Sequence, residues 1–214
     1  MAIVKSVYWK VTYYYKRHGV KRTVQRFIES AKRSLFLNRD VIFSMDLHDW
    51  SSSKEGIPGQ YSVDRVSKES DIPEQLMECI LANQREEMFK DYMRRRLAKG
   101  AALWFLKKEN KWIGYFWVFI GQTMKPHFIP LMAQDVHIFD GFIFPEHRGQ
   151  GEMAIMMNLV VDRLRLMGLR RAYIETAEWN TSSIKFIEKM GYTKLGYAKQ
   201  RLWRGKNKVT WSVE

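Results

Sequence analysis

The 214-residue chain has a single cysteine, Cys79. No internal disulfide can form, and no Cys/His spacing matches a metal site, so neither a disulfide scaffold nor a metalloenzyme is expected. Free cysteine is among the most buried residue types, and Cys79 reads as a small core residue rather than a nucleophile. Long apolar runs are missing too. The longest, around Tyr115 to Ile120, is far short of a bilayer span. The N-terminus carries lysines but no apolar leader, which predicts a cytoplasmic protein. Also absent are Gly-x-Gly-x-x-Gly after a first strand and the Lys-Ser/Thr ending of a nucleotide P-loop. Acidic residues are few: 36 Lys and Arg face 23 Asp and Glu, a formal charge of +13. So large a charge predicts an anionic partner.

The remaining composition, 46% hydrophobic and 28% charged, is that of a soluble globular protein. The length favours one domain with an added segment. Residues 1–40 hold ten basic residues against Glu29 and Asp40, and a second block, Lys194 to Lys208, holds six basic residues and no acid. Within the first block, Val20, Val24, Phe27, Ile28, Ala31 and Leu35 recur at helical spacing, with Arg22, Arg26, Lys32 and Arg33 off that stripe. This predicts a basic amphipathic helix, its stripe packed on the domain or docked to an anionic surface. The turn-rich Ser51 to Gln60 reads as a linker, dividing a basic extension, 1–57, from a main domain, 58–214.

Beyond the linker the pattern predicts a strand at YSVDRVS, two short helices between Asp71 and Lys99, and a hairpin of ALWFLKK and WIGYFWVFI around Glu109 to Lys111. QDVHIFDGFIF is a further strand. Met153, Met156, Val160, Leu164 and Met167 mark a helix ending at Gly168, with its methionines in the core. A strand RRAYIETA, a helix from Thr181 to Met190 and two strands flanking Arg204 to Asn207 follow. The expected class is α/β, a mixed sheet flanked by helices.

Between QDVHIFDGFIF and the methionine helix stands PEHRGQGEMA, Pro145 to Ala154. Glycines at 149 and 151 let the backbone turn tightly, and a helix N-terminus offers unpaired N–H groups to an anion. Arg148 adds a forked cationic donor. Such a loop suits a diphosphate, and equally it makes a plain strand-to-helix turn.

The longer segment from Phe142 to Tyr192 resembles the GNAT acyltransferase superfamily. The family's Arg/Gln-x-x-Gly-x-Gly/Ala loop is matched by Arg148 and Gly151, its later asparagine by Asn180, and its helix-terminal Gly-Phe/Tyr by Gly191-Tyr192. The resemblance spans residues 60–213. It implies a mainly antiparallel sheet that binds acetyl-CoA or another acyl-CoA where two central strands part. It further implies that amides of Arg148, Gly149, Gln150, Gly151, Glu152 and Met153 hold the diphosphate. Phe142, Ile143 and Phe144 would run beside the pantetheine and offer an N–H to the thioester carbonyl, and Asn180 would bond the pantetheine arm or cap its helix. The sequence departs from the family at Met153, where glycine or alanine is usual, and at Ile187, where many members carry the tyrosine that protonates the leaving thiolate. Tyr197 or water is then the expected acid.

Transfer to an amine needs the neutral form, and a lysine-like pKa of ~10.4 leaves roughly one molecule in 2,500 unprotonated at pH 7. Candidate bases are His137, Asp140, expected on the opposite strand face by alternation, and Glu175; the pKa of His137, ordinarily near ~6.5, places it first. The expected activity is acyl-CoA-dependent N-acylation of a primary amine on a small or carbohydrate-type acceptor. The alternatives are a weakly catalytic binding module of the same fold that docks to membrane or RNA, and an acyltransferase with an acyl-carrier-protein donor. The basic extension would allow peripheral attachment to the inner membrane surface.

Overall fold

A computed structural model describes residues 15, 19–24, 28, 31, 39–50, 59–84, 86–123, 129–203 and 206–213. Its centre is an eight-stranded sheet in the order β2-β3-β4-β5-β6-β1-β7-β8. The strands are β1 (Asp40–Asp46), β2 (Tyr61–Val66), β3 (Ala102–Lys108), β4 (Lys111–Ile120), β5 (Asp135–Ile143), β6 (Arg171–Ala177), β7 (Thr193–Trp203) and β8 (Lys206–Ser212). Among the described residues, four helices cover it: α1 (Glu74–Asn83), α2 (Glu86–Ala98), α3 (Glu152–Leu166) and α4 (Thr181–Lys189).

β4 explains why the middle of the sheet reads as an unbroken apolar run. Tyr115, Trp117 and Phe119 face α1 and α2, where Leu76, Ile80, Phe89 and Met93 are buried. Phe116 and Val118 face α3 and α4, with Met156, Met157, Val160 and Ile187. A strand covered on both faces has no polar side to alternate with. Met156 and Met157 are core as expected, whereas Met167, at the end of α3, is 44% exposed. Cys79 is partly buried, and burial pushes its thiol above the ordinary value, which keeps it a poor nucleophile.

All neighbouring strands are antiparallel except β5 and β6, which α3 joins as a parallel crossover. Their pairing stops early. It runs from Asp135↔Arg171 to Ile138↔Ile174, after which both strands continue without each other. The cause is a bulge: the register of β5 on β4 shifts between Tyr115 and Trp117, with Asp140 at φ 47°. An extra residue there bends β5 away from β6. Gly141 fits the bend because a Cβ would meet the buried Phe116 ring at 2.1 Å.

The sequence reading assigns no strand to β1, yet it lies between β6 and β7 and pairs with both. Thus 40–46, on the extension side of the boundary placed at residue 57, is part of the sheet; residues 51–58 themselves lie outside the described residues. Of the basic helix, residues 19–24, 28 and 31 are described and helical. Packing of its stripe on the domain is not what they show: Val20, Val24 and Ile28 are exposed by half or more. Phe27 and Leu35 lie outside the described residues.

Candidate active site

The parting of β5 and β6 opens a cleft of about 430 Å³ lined by Phe139, Asp140 and Gly141 from β5, Ile174, Glu175 and Thr176 from β6, and residues of α3 and α4. At its α3 end the chain leaves β5 through a short turn, Pro145–His147, and reaches the loop 148–151. Gly149 and Gly151 have φ of 78° and 81°, left-handed values that favour glycine. A Cβ on either would meet nothing within 4 Å, so conformation rather than space calls for glycine, and the outer side of the loop is open. Gly151 caps α3 without any side-chain bond. Among the described residues, the N–H groups of Gly149, Gln150, Gly151, Glu152 and Met153 have no acceptor. Five unpaired donors around a helix N-terminus fit a diphosphate.

The acid in this turn does not spoil that fit. Glu152 is buried and turned inward, accepting from the Tyr61 hydroxyl at 2.9 Å and lying 3.7 Å from Lys108 Nζ. Hence only its backbone faces the loop. Arg148 donates its Nε to the Ile143 carbonyl at 2.9 Å and lies over the Phe142 ring. The guanidinium thereby ties the loop to the end of β5. Phe144 donates its N–H to Ile113 on β4, so it cannot serve a ligand; strand alternation turns the Ile143 N–H to the opposite edge, the one facing β6. Asn180 lines the cleft and accepts at Oδ1 from Ser183 N (3.3 Å) and Ser182 Oγ (3.0 Å), a helix cap that leaves its Nδ2 without an acceptor among the described residues. Capping therefore occupies Oδ1 and leaves Nδ2 open to the cleft.

The three candidate bases lie at different depths. His137 is 1% exposed and does not line the cleft. Its Nδ1 is 2.9 Å from Thr123 Oγ1, and its Nε2 bonds Glu175 Oε2. Glu175 does line the cleft. The geometry is a buried chain, Thr123 to His137 to Glu175, ending at a carboxylate on the wall. Asp140 departs from the alternation expected of it. Because the bulge interrupts the pleat, its carboxylate points to the α2 side and pairs with Arg96, whose guanidinium lies over the Trp117 and Phe139 rings at 5.0 and 5.2 Å. Thr123 and Arg96 went unnoticed in the sequence. Nothing in their spacing singles them out, since only the fold brings them to β5.

Ile187 is buried and lines the cleft in the place where the resemblance would put a tyrosine. Tyr197 does not replace it: it sits on β7, beyond β1, with its hydroxyl accepting from Lys194 Nζ at 2.7 Å. The hydroxyl groups on the cleft are those of Thr176, Ser182 and Ser183. Met153 separates the cleft from a second, larger groove that it also lines. No helix among the described residues is long and apolar enough to cross a membrane.

Comparisons with known proteins agree with this geometry. The model of the Acetyltransferase (GNAT) family matches residues 70–192, more than half of the chain. A tandem GNAT protein from the clavulanic acid biosynthesis pathway shares the fold at 15% identity and a TM-score of 0.51, over 78% of this chain and 55% of its own. The GCN5-related glucosamine N-acetyltransferase region of a fungal multi-domain GH3 beta-N-acetylglucosaminidase does so at 12% identity and a TM-score of 0.55, over 81% of this chain and 22% of that one. The chain thus spans about half the length of the first and about a fifth of the second, and at these identities the likeness is one of fold. No curated protein matches the sequence significantly. The family match, the parted parallel strands and the glycine loop at the head of α3 together make this chain a member of the GNAT acetyltransferase family.

Proposed function

We propose that the protein transfers an acyl group, acetyl in the simplest case, from acyl-CoA to a primary amine of a small or carbohydrate-type acceptor by direct attack in a ternary complex. One observation carries the reading: Glu175, backed by His137 and Thr123, sits on the wall of a cleft that is also lined by Met153, the last residue of the unpaired amides of 149–153. The diphosphate end would rest on those amides and the pantetheine would pass Asn180 Nδ2. The Ile143 N–H, turned to the open edge, is placed to polarise a thioester carbonyl. The net charge of +13 favours a polyanionic donor.

In the reaction the amine nitrogen bonds the acyl carbon and the carbon–sulfur bond breaks. Glu175 takes the proton that the amine loses, and His137 shares it through the hydrogen bond behind. With Ile187 in place of an acid, the proton returns to the thiolate from Glu175 through water or a cleft hydroxyl. General base assistance of this kind contributes about 10²–10⁴-fold, and holding the two reactants at attack distance contributes as much or more. The test is thiol release from acetyl-CoA against a panel of amines, amino sugars included. Amine-dependent release that Glu175→Gln abolishes supports the reading, and release indifferent to every amine and to that substitution overturns it.

A second role has its own observation. Val20, Val24 and Ile28 form an exposed stripe on a helix whose sequence is strongly basic, a pattern suited to an anionic bilayer surface. Co-sedimentation with phosphatidylserine vesicles, lost on Val24→Asp, tests it; equal recovery with and without vesicles counts against it.

A further inference from the structure

The cleft carries a second acid that the reaction above leaves idle. Its charged lining residues are Asp140 and Glu175, and among the described residues no lysine or arginine lines it, although basic residues outnumber acidic ones by 36 to 23 in the chain. Such a lining favours a cation. Glu175 is committed to the reacting nitrogen, whereas Asp140 has no task in bond making.

Asp140 is turned outward. It sits at the β5 bulge with φ of 47°, a left-handed value at which glycine costs less, and bulges beside active sites re-aim a side chain. Its pair with Arg96 is one-sided: the arginine side chain is 15% exposed and the aspartate 61%. The guanidinium is held by the rings of Trp117 and Phe139 and meets Asp140 through Oδ2. Oδ1 has no partner among the described residues. A molecule that reaches the pair therefore meets carboxylate before guanidinium.

The two acids share one face of the sheet. The His137 ring, bonded to Glu175, stacks on Phe139 with centroids 4.9 Å apart, and Phe139 in turn lies under Arg96. The stacked layer of His137, Phe139 and Arg96 thus has a carboxylate at each end. His137 and Asp140 are separated by at most about 10 Å of strand, so a short chain with a nitrogen at each end spans from one acid to the other.

We propose that Asp140 determines acceptor specificity: the acceptor carries a second ammonium group, which Asp140 holds through Oδ1 while the other nitrogen is acylated beside Glu175. The acceptor class is thus a diamine, on an alkyl or a carbohydrate frame, and the proposal rests on the acyltransferase reading above. The second nitrogen keeps its proton and forms no bond to the acyl carbon. A charge-assisted hydrogen bond holds it in place. Arg96 is a positioning residue that fixes the carboxylate.

The test compares thiol release from acetyl-CoA with a series of straight-chain diamines, the monoamines of equal length and the corresponding amino alcohols. The unaltered protein is expected to show a KM about tenfold or more lower for the best diamine than for its matched monoamine or amino alcohol. Asp140→Asn and Asp140→Gly both accept a left-handed backbone, so they keep the bulge and remove the charge. Each is expected to erase the preference, raising KM for the diamine about tenfold or more with a smaller change in kcat. The inference is overturned if the unaltered protein uses the matched acceptors equally well, or if the preference survives in both variants. It is overturned too if the variants lose all three kinds of acceptor in equal proportion, the result of a purely structural tie to Arg96. Failure of the parent reading looks different: no amine of any kind then raises thiol release above the rate without amine.

Discussion

In the proposed reading, the donor end and the amine end of the site are made of different material. The donor end, Arg148 to Met153, is main chain: amides without acceptors and two glycines in left-handed conformation. The amine end is side chain, a buried relay from Thr123 through His137 to Glu175. A main-chain site withstands most side-chain changes and fails when its backbone path is altered. A side-chain site is lost when a single group is removed from an intact fold. The contrast predicts that binding and turnover separate cleanly between the two ends.

The largest effect is expected at the donor end. Gly151→Glu places a β-carbon on a residue with φ of 81° and a negative charge beside the amides. Loss of acetyl-CoA affinity by more than about 100-fold, read by calorimetry, is the expected outcome; unaltered affinity would detach the diphosphate from this loop. At the other end, Glu175→Gln keeps shape and removes the base, so kcat should fall about 10²–10³-fold while donor affinity stays within about twofold. A matching loss of affinity would mean that the ends are not separate.

Gly141→Ala probes the bend between them. Its β-carbon would overlap the ring of Phe116, which is buried. Destabilisation of about 1–3 kcal/mol, seen in a denaturant titration, is expected. His137→Ala should reduce the rate about tenfold near neutral pH and less near pH ~10, where a lysine-like amine gives up its proton unaided. A loss that is equal at every pH would reduce His137 to a structural part. The smallest effect concerns Tyr192, whose hydroxyl is pushed up by burial. A raised folded value contributes stability that is complete below the unfolded value of about 10 and is lost as pH climbs toward the folded one. Melting temperature should therefore fall in strongly alkaline buffer, and Tyr192→Phe should lessen that fall.

Much of the fold was legible because local rules sufficed. The hairpin of β3 and β4 follows from two β-rich runs and a two-residue turn with Glu109 at φ 54°. Helix α3 follows from its apolar spacing, and Asn180 from its capping position. β1 was not legible. DVIFSMD buries Val41, Ile42 and Phe43 in succession because it has strands on both sides and is covered above and below, so the alternation that marks a half-exposed strand is missing. Asp140 was misplaced for a related reason, since a bulge is set by the partner strand and by Phe116 rather than by the strand's own residues.

By itself the sequence determined what depends on neighbours along the chain: a glycine loop heading a helix, an asparagine cap, a basic and nearly cysteine-free composition, and the motif spacing that marks the family. Only the tertiary structure decided which carboxylate of the cleft is joined to His137 and which to Arg96. His137 and Glu175 are 38 residues apart, and Thr123 and Arg96 come from other elements. The early end of the β5–β6 pairing, together with packing on both faces of the sheet, turns Glu175 toward the opening, holds His137 behind it and draws Asp140 to Arg96. Contacts of this kind join residues distant in sequence, and no local pattern records them.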